Sequence, residues 1–333
     1  MKKFINEVDD MLVESLSGFA NAHADLVNLH LEPNFITRKN KALDKVAVIS
    51  GGGSGHEPLH AGYIGYGMLD AACPGHVFTS PTPDQMLAAA EHVHAGKGVL
   101  FIVKNYSGDV MNFEMAAEML PFESATVLTS DDVAVTNSTY TTGRRGVAGT
   151  VIVEKCVGSL AETGANLQTC KALGDKVNER SASMGVALTS CTVPAAGRPT
   201  FQINETELEM GVGIHGEPGR RREAMREADA IVQDLVNAII EDFKARGLET
   251  EGSEALLLVN GFAGTPLMEL YLIYNTAAKL FTQHGIKITR SLVGNYTTAL
   301  DMAGASITLC LLDEEIKQHW DSTVHTPALR WGV

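Results

Sequence analysis

Short runs of apolar, often β-branched residues alternate with amphipathic stretches along most of the chain. Residues 5–20 carry apolar side chains at mostly helical spacing, among them Val8, Leu12 and Phe19, which predicts a first helix. The same periodicity predicts further helices at 84–95, 109–120, 146–162, 166–180, 223–246, 266–283 and 313–320. The short β-branched runs predict strands at 45–50, 98–103, 125–129, 184–189, 255–259, 287–292 and 306–312. This alternation is typical of an α/β protein with largely buried strands, for which parallel pairing is one open arrangement.

The alternation is interrupted at 191–200, a segment that contains Pro194, Gly197 and Pro199. Proline and glycine close together disfavour both helix and strand and often mark a connection. We therefore predict two α/β domains, an N-terminal one over 1–190 that carries substrate-binding loops and a C-terminal one over 191–333.

Composition and charge exclude several classes of function. The chain has 333 residues and a formal net charge of −14, which argues against nucleic acid and anionic membranes as main partners. The five cysteines are dispersed without a Cys-x-x-Cys pair, which favours reduced, mostly buried thiols over disulfides or a zinc ribbon. No apolar run reaches the roughly 18 residues of a membrane span, and the N-terminus is charged where a signal peptide would be apolar. We therefore expect a cytoplasmic protein.

Two histidines stand in glycine-rich segments that are far apart in the sequence. His56 lies in 51–58 (GGGSGHEP) and His215 lies in 211–219 (GVGIHGEPG). Glycine lets the backbone adopt positive φ and approach a ligand closely, so each segment can present its imidazole to a bound molecule. The pair suggests one site assembled from two parts of the fold, although a turn histidine without function would also explain His215.

The sequence nearly matches three familiar motifs, but in each case it lacks a feature that the motif requires. The dinucleotide-binding fingerprint requires a third glycine for close helix–strand packing, and His56 stands at that position. Residues 56–60 read His-Glu-x-x-His, but that zinc motif works only within a helix, which Pro58 opposes. Residues 95–98 lack the first glycine and the Ser or Thr of a phosphate-binding loop, and no kinase catalytic loop is present. We therefore predict no metal site and no cofactor on this chain.

A lysine and an aspartate follow the apolar run at 98–103. Because ligands of open α/β sheets bind at the carboxyl ends of strands, Lys104 and Asp109 are placed to act with His56, which follows the first predicted strand. Two alternatives need no function: Asp109 could be the N-cap of the next helix, and Lys104 could be a surface residue.

The sequence resembles the dihydroxyacetone-binding K subunit of dihydroxyacetone kinase over its whole length. The resemblance is carried by segments in the same order: 51–58 (GGGSGHEP), 78–84 (FTSPTPD), 104–109 (KNYSGD), 143–146 (GRRG), 191–194 (CTVP), 211–219 (GVGIHGEPG) and 325–328 (HTPA). These motifs are long and specific, unlike a single glycine fingerprint.

The resemblance implies a fold of two α/β domains and a specific set of site residues. It implies that His215 binds dihydroxyacetone covalently as a hemiaminal, that Asp109 is the base and that His56 orients the substrate. The implied substrate-binding residues are Gly53, Ser54, Gly55, His56, Lys104 and Asp109.

The resemblance also implies partners. These are a second copy of the chain in a homodimer, a separate L-type subunit that carries ADP and Mg²⁺, and a phosphohistidine protein that draws on phosphoenolpyruvate. The sequence reaches Val333 without an L-type domain, which favours this multi-component system, and residues around 325–331 are expected to pack back on the first domain. The alternative is a dihydroxyacetone-binding regulator or coactivator without catalysis. Glyceraldehyde or a tetrulose remains an open choice of ligand.

Overall fold

The computed structural model describes residues 2–139 and 141–333, which form eight α-helices and two six-stranded sheets. The helices are α1 (Met11–Ala22), α2 (Pro83–Val93), α3 (Ser107–Met119), α4 (Gly149–Glu162), α5 (Leu167–Glu179), α6 (Ala228–Ala245), α7 (Leu267–Gln283) and α8 (Glu314–Asp321). The strands are β1 (Val27–Leu31), β2 (Asn34–Arg38), β3 (Ala47–Ser54), β4 (Ala71–Val77), β5 (Val99–Lys104), β6 (Ser124–Thr129), β7 (Asn137–Ser138), β8 (Thr141–Thr142), β9 (Ser181–Ala187), β10 (Glu207–Met210), β11 (Arg221–Ala224), β12 (Glu254–Gly261), β13 (Lys287–Gly294), β14 (Gly304–Leu312), β15 (Val324–His325) and β16 (Arg330–Trp331).

The first sheet has the strand order β1-β2-β4-β3-β5-β6. Strands β4, β3, β5 and β6 are parallel, so the carboxyl ends of β3 and β5 lie side by side. Sequence patterns missed β4, because its Pro74 and Gly75 disfavour a strand. The strand forms because it pairs in parallel with β3 from Ala71 to Val77. Pairing with β2 is limited to Ala71 and Ala72, so no β2 residue lies opposite Pro74.

The second sheet has the order β11-β10-β9-β14-β12-β13 and is antiparallel except for the pair β12–β13. Strand β9, at Ser181–Ala187, pairs with β14 in this sheet, although the predicted first domain extends to residue 190. The chain therefore changes sheet before the proline-rich segment at 191–200. The predicted helix at 223–246 begins only at Ala228, because Arg221–Ala224 forms the charged edge strand β11.

Helix α4 lies between the two sheets and joins their cores. All its residues from Gly149 to Ala161 are buried. One hydrophobic cluster combines this helix with Val48 and Leu100 of the first sheet and with Leu256 of the second. The two halves of the chain thus share a continuous apolar core, and loops from both can meet beside it.

The last residues of the chain contact the first half. His325 forms a β-bridge with Tyr66, and the backbone amide of Ala328 donates to the carbonyl oxygen of Gly62 at 2.9 Å. Within residues 2–139 and 141–333, the structure contains no helix that is both long and apolar enough to cross a bilayer.

Candidate active site

A cleft of about 710 Å³ lies at the carboxyl ends of β3 and β5, and the 211–219 loop of the other half forms part of its wall. Its lining includes Gly53, Tyr106, Asp109, His215 and Glu217. A larger cavity of about 1020 Å³ lies against the N-terminal segment, but it contains neither Asp109 nor His215. The candidate catalytic residues Asp109 and His215 therefore lie at the smaller cleft.

His215 is held by Glu217, two residues further along the same loop. Its Nδ1 lies 2.8 Å from Oε1 of Glu217, and its backbone amide donates to Oε2 at 2.9 Å. The Glu217 side chain can fold back in this way only because Gly213 has no Cβ: a Cβ there would lie 2.0 Å from Oε2. With Nδ1 occupied by the carboxylate, Nε2 is the nitrogen of His215 that is left for a ligand.

Glu217 is buried yet held in its charged form. Burial works to raise its pKa, but the charge and hydrogen bond of His215, together with the charge of Arg145, outweigh burial and hold the pKa at about 2. Arg145 is fully buried and fixes the loop, since its Nε donates to Asp132 at 2.7 Å and its Nη2 donates to the carbonyl oxygen of Gly211 at 2.7 Å.

His56 is the second imidazole of the site and is almost fully buried. Its Nδ1 lies 2.7 Å from the carbonyl oxygen of Thr298, so Nδ1 donates and Nε2 carries the lone pair. Its Nε2 has no hydrogen-bond partner among residues 2–139 and 141–333. The ring stacks on Phe78, and its centroid lies 4.7 Å from that of His215. Burial, followed by the charges of His215 and Lys104, holds the pKa of His56 well below its usual value, so the ring is neutral.

Lys104 and Asp109 meet beneath the cleft. Lys104 is the last residue of β5 and is buried, so the alternative of a surface lysine is wrong. Its Nζ lies 3.7 Å from Oδ2 of Asp109. The alternative in which Asp109 is a helix N-cap is also wrong, because α3 begins at Ser107 and its N-cap is Tyr106. The Asp109 carboxylate faces Lys104 and the cleft.

The three small residues predicted to bind substrate differ in their placement. Gly53 lines the cleft. The Ser54 hydroxyl instead donates to the carbonyl oxygen of Gly75 at 2.7 Å, and the Gly55 amide donates to the Glu57 carboxylate at 3.0 Å. The Ser54 side chain and the Gly55 amide are thus engaged within the protein.

Sequence patterns did not indicate several residues that complete the site. They are Glu217, Arg145, Phe78, Tyr106, His60 and Glu154. The zinc motif is excluded by geometry, because Nε2 of His60 lies 2.8 Å from the cationic Nζ of Lys104. No group of three or more metal-ligating side chains occurs in the part of the chain that the structure describes.

The sequence matches the Dak1 domain model over residues 17–328. The chain belongs to the Dak1 family. It is 48% identical to the dihydroxyacetone-binding subunit of the PEP-dependent dihydroxyacetone kinase of Escherichia coli, over 100% of both chains. The match to this family confirms the resemblance drawn from the motifs.

Solved structures of Dak1 relatives have the same fold. The dihydroxyacetone kinase of C. freundii, in complex with AMP-PNP and Mg²⁺, superimposes with a TM-score of 0.88 at 32% identity, covering 99% of this chain and 61% of that one. A dihydroxyacetone kinase operon co-activator also superimposes with a TM-score of 0.88 at 32% identity, covering 97% and 98%. The predicted α/β class and K-subunit fold are therefore confirmed.

Proposed function

We propose that this chain is the dihydroxyacetone-binding subunit of a PEP-dependent dihydroxyacetone kinase, a phosphotransferase. The observation that carries the proposal is the His215–Glu217 pair, which leaves Nε2 of a histidine free in the same cleft as Asp109. The 48% identity to a subunit of that name over the full length supports the same conclusion.

In the first step that we propose, Nε2 of His215 adds to the ketone carbon of dihydroxyacetone. The new N–C bond forms as the carbonyl π pair moves to oxygen. Overall the ring loses its Nδ1 hydrogen and the oxygen gains one, so the addition is balanced. Glu217, ionised beside Nδ1, stabilises the positive charge that builds on the ring during attack. Glycerol has no carbonyl and cannot be captured in this way, which selects short ketoses or aldoses over polyols.

In the second step, the bound ligand presents a terminal hydroxyl for phosphoryl transfer. Asp109 accepts the hydroxyl proton as the oxygen attacks phosphorus, with Lys104 close enough to stabilise negative charge. His56, neutral and with a free Nε2, accepts a hydrogen bond from the ligand and orients it. The product is dihydroxyacetone phosphate.

The phosphoryl donor in this proposal belongs to partner proteins. An L-type subunit carries ADP and Mg²⁺ and is rephosphorylated by a phosphohistidine protein, while two copies of this chain form a homodimer in the cytoplasm. The activity would serve glycerol metabolism. A non-catalytic regulator is the less favoured alternative, since identity is 32% to the co-activator but 48% to the kinase subunit, and Asp109, Lys104 and His56 are all in place here.

The test combines reconstitution with mass spectrometry. We expect the chain to phosphorylate dihydroxyacetone only when an L-type subunit and the phosphodonor are added, and calorimetry of the isolated chain to show no binding of magnesium–ATP. The intact mass should show an adduct with dihydroxyacetone that is absent from His215→Ala. An adduct that persists in this variant would refute the role of His215, and micromolar ATP binding by the chain alone would refute the division of labour.

A further inference from the structure

Three buried polar side chains lead from the cleft toward the centre of the molecule. Nζ of Lys104 lies 2.8 Å from Nε2 of His60, and Nδ1 of His60 lies 2.5 Å from Oε1 of Glu154 on α4. Each of the three residues is almost inaccessible to solvent. The two steps described above use neither His60 nor Glu154.

The neighbours of His60 determine which ring nitrogen carries the hydrogen. Nε2 faces an ammonium group, which can only donate, so Nε2 must accept. Nδ1 faces the Glu154 carboxylate and also Oγ of Ser50 at 3.0 Å, and the Ser50 hydroxyl already donates to the carbonyl oxygen of Ile102 at 2.7 Å. With an acceptor on either side, Nδ1 carries the hydrogen and donates to Glu154.

This arrangement fixes where the hydrogens of Lys104 point. Its ammonium group donates to His60 and lies 3.3 Å from the carbonyl oxygen of Gly51, while Oδ2 of Asp109 is further away at 3.7 Å. The ammonium can occupy this place because Gly52 has no Cβ, which would lie 2.3 Å from Nζ. The positive charge therefore stays near Asp109 without capping the carboxylate that must take a proton.

We propose that His60 and Glu154 are positioning residues for phosphoryl transfer, in which Glu154 fixes the Nδ1–H form of His60 and His60 holds Lys104 back from Asp109. Without this anchor, the ammonium would move onto Asp109 and compete with the substrate hydroxyl for its oxygens. The proposal rests on the proposed function, because it takes Asp109 as the base.

The ionisation of Glu154 depends on Lys104, which lies at the other end of this row of three side chains. Burial raises the pKa of Glu154 to about 8, and the charge of Lys104 works against this rise. Burial, with the charges of Lys104 and His56, holds the pKa of His60 well below its usual value, so the ring stays neutral. Lys104, His60 and Oε1 of Glu154 thus form one buried row of hydrogen bonds, while Oε2 of Glu154 has no partner among residues 2–139 and 141–333.

The kinetic test uses Glu154→Gln, which keeps the size and an acceptor oxygen but removes the ionisable carboxyl group. The matched control is Glu162→Gln on the same helix, because Glu162 pairs with Arg38 at 2.7 Å and Lys45 at 3.1 Å rather than with the site. Turnover with saturating L-type subunit and the His215 adduct are measured on the same preparations. We expect Glu154→Gln to lower kcat by about tenfold or more while adduct occupancy stays within about twofold. The control should retain kcat within about twofold.

Fold damage would lower kcat and adduct together, and that result, or an unchanged kcat in Glu154→Gln, overturns the proposal. A second measurement needs no variant and no activity: nitrogen-15 NMR of the histidine-labelled parent protein reads the protonated nitrogen of His60 directly. The Nδ1–H form supports the proposal. The Nε2–H form, which would accompany a proton on Glu154 and a neutral Lys104, overturns it. If the parent protein fails to phosphorylate dihydroxyacetone, the proposed function fails, and this spectrum still decides which ring nitrogen of His60 carries the hydrogen.

Discussion

The histidines of the cleft share one local arrangement, in which Nδ1 is tied to an acceptor and Nε2 is left free. In His56 the acceptor is the carbonyl oxygen of Thr298, and in His215 it is the carboxylate of Glu217. The difference in charge separates their roles. In the mechanism that we propose, a carboxylate stabilises positive charge on His215 as it bonds to carbon, whereas a neutral carbonyl keeps His56 as a hydrogen-bond acceptor.

A substitution of Asp109 tests whether this residue is the base. Asparagine at 109 keeps the size of the side chain but cannot take a proton, so we expect Asp109→Asn to lower kcat by ~10²–10⁴. The His215 adduct should still form, because His215 and Glu217 are unchanged. Steady-state kinetics and intact mass measure the two effects separately.

The control for Asp109→Asn is Asp84→Asn, which removes an exposed carboxylate from the first turn of α2. Both substitutions weaken the favourable interaction of a negative charge with a helix N-terminus, but only Asp109 faces the cleft. We expect the Asp84 variant to keep kcat within about twofold of the parent value. Equal kcat values in the two variants would show that Asp109 takes no part in proton transfer.

Among the elements, α4 has the most constrained environment. It is buried along nearly its whole length, carries Glu154 toward the site and packs against both sheets. Gly158 allows this helix to approach the segment at Met68, since a Cβ at 158 would lie 2.3 Å from the Met68 Cα. Packing, rather than helix propensity, therefore determines the residue at this position.

A pair of glycine-to-alanine substitutions tests this conclusion. In α1, a Cβ added at Gly18 would have no other atom within 4 Å. Gly18→Ala should therefore stabilise the protein by about 0.5–1 kcal/mol through helix propensity. Gly158→Ala should destabilise it by about 1–3 kcal/mol through overpacking. Urea unfolding measures both changes. A shift of the same sign in the two variants would mean that α4 can move away from Met68 at little cost.

At the scale of the whole molecule, folding buries neutral imidazoles that would be charged in the unfolded chain. Burial is the main cause that holds the pKa values of His56 and His60 well below 6.5. The unfolded chain therefore binds more protons than the native protein below pH 6.5. This contribution destabilises the folded state progressively as pH falls from 6.5 toward the lowered native pKa values.

The comparison of His56→Gln with its parent isolates this effect. For each pH unit below 6.5, we expect the unfolding free energy of the parent to fall by about 1.4 kcal/mol relative to that of the variant. The parent takes up a proton at residue 56 on unfolding, whereas the glutamine of the variant cannot. Denaturant titrations between pH 7 and pH 5 measure it. The exposed His76 on β4 provides the control, His76→Gln. A difference that does not vary with pH would show that His56 is charged in the native protein.

The sequence alone determined the α/β class and most of the elements. Each predicted helix and strand overlaps an observed one, because periodicity and β-branched runs are local properties. It also identified the family, and the glycine-rich segments around His56 and His215 indicated a site made from two regions. Two of the strands that it missed, β4 and β11, carry proline, glycine or charge and form beside neighbouring strands that offer a partner.

Tertiary structure decided the electrostatics of the site. Glu154 and His60 are 94 positions apart, and Arg145 and Gly211 are 66 apart, so no local pattern relates them. Only folding shows that Lys104 is buried, that Asp109 caps no helix and that Glu217 turns back to His215. A side chain's charge and tautomer depend on its burial and on its neighbours in space. Secondary structure follows from neighbours in sequence, whereas catalytic state follows from contacts that exist only once the two sheets have packed around α4.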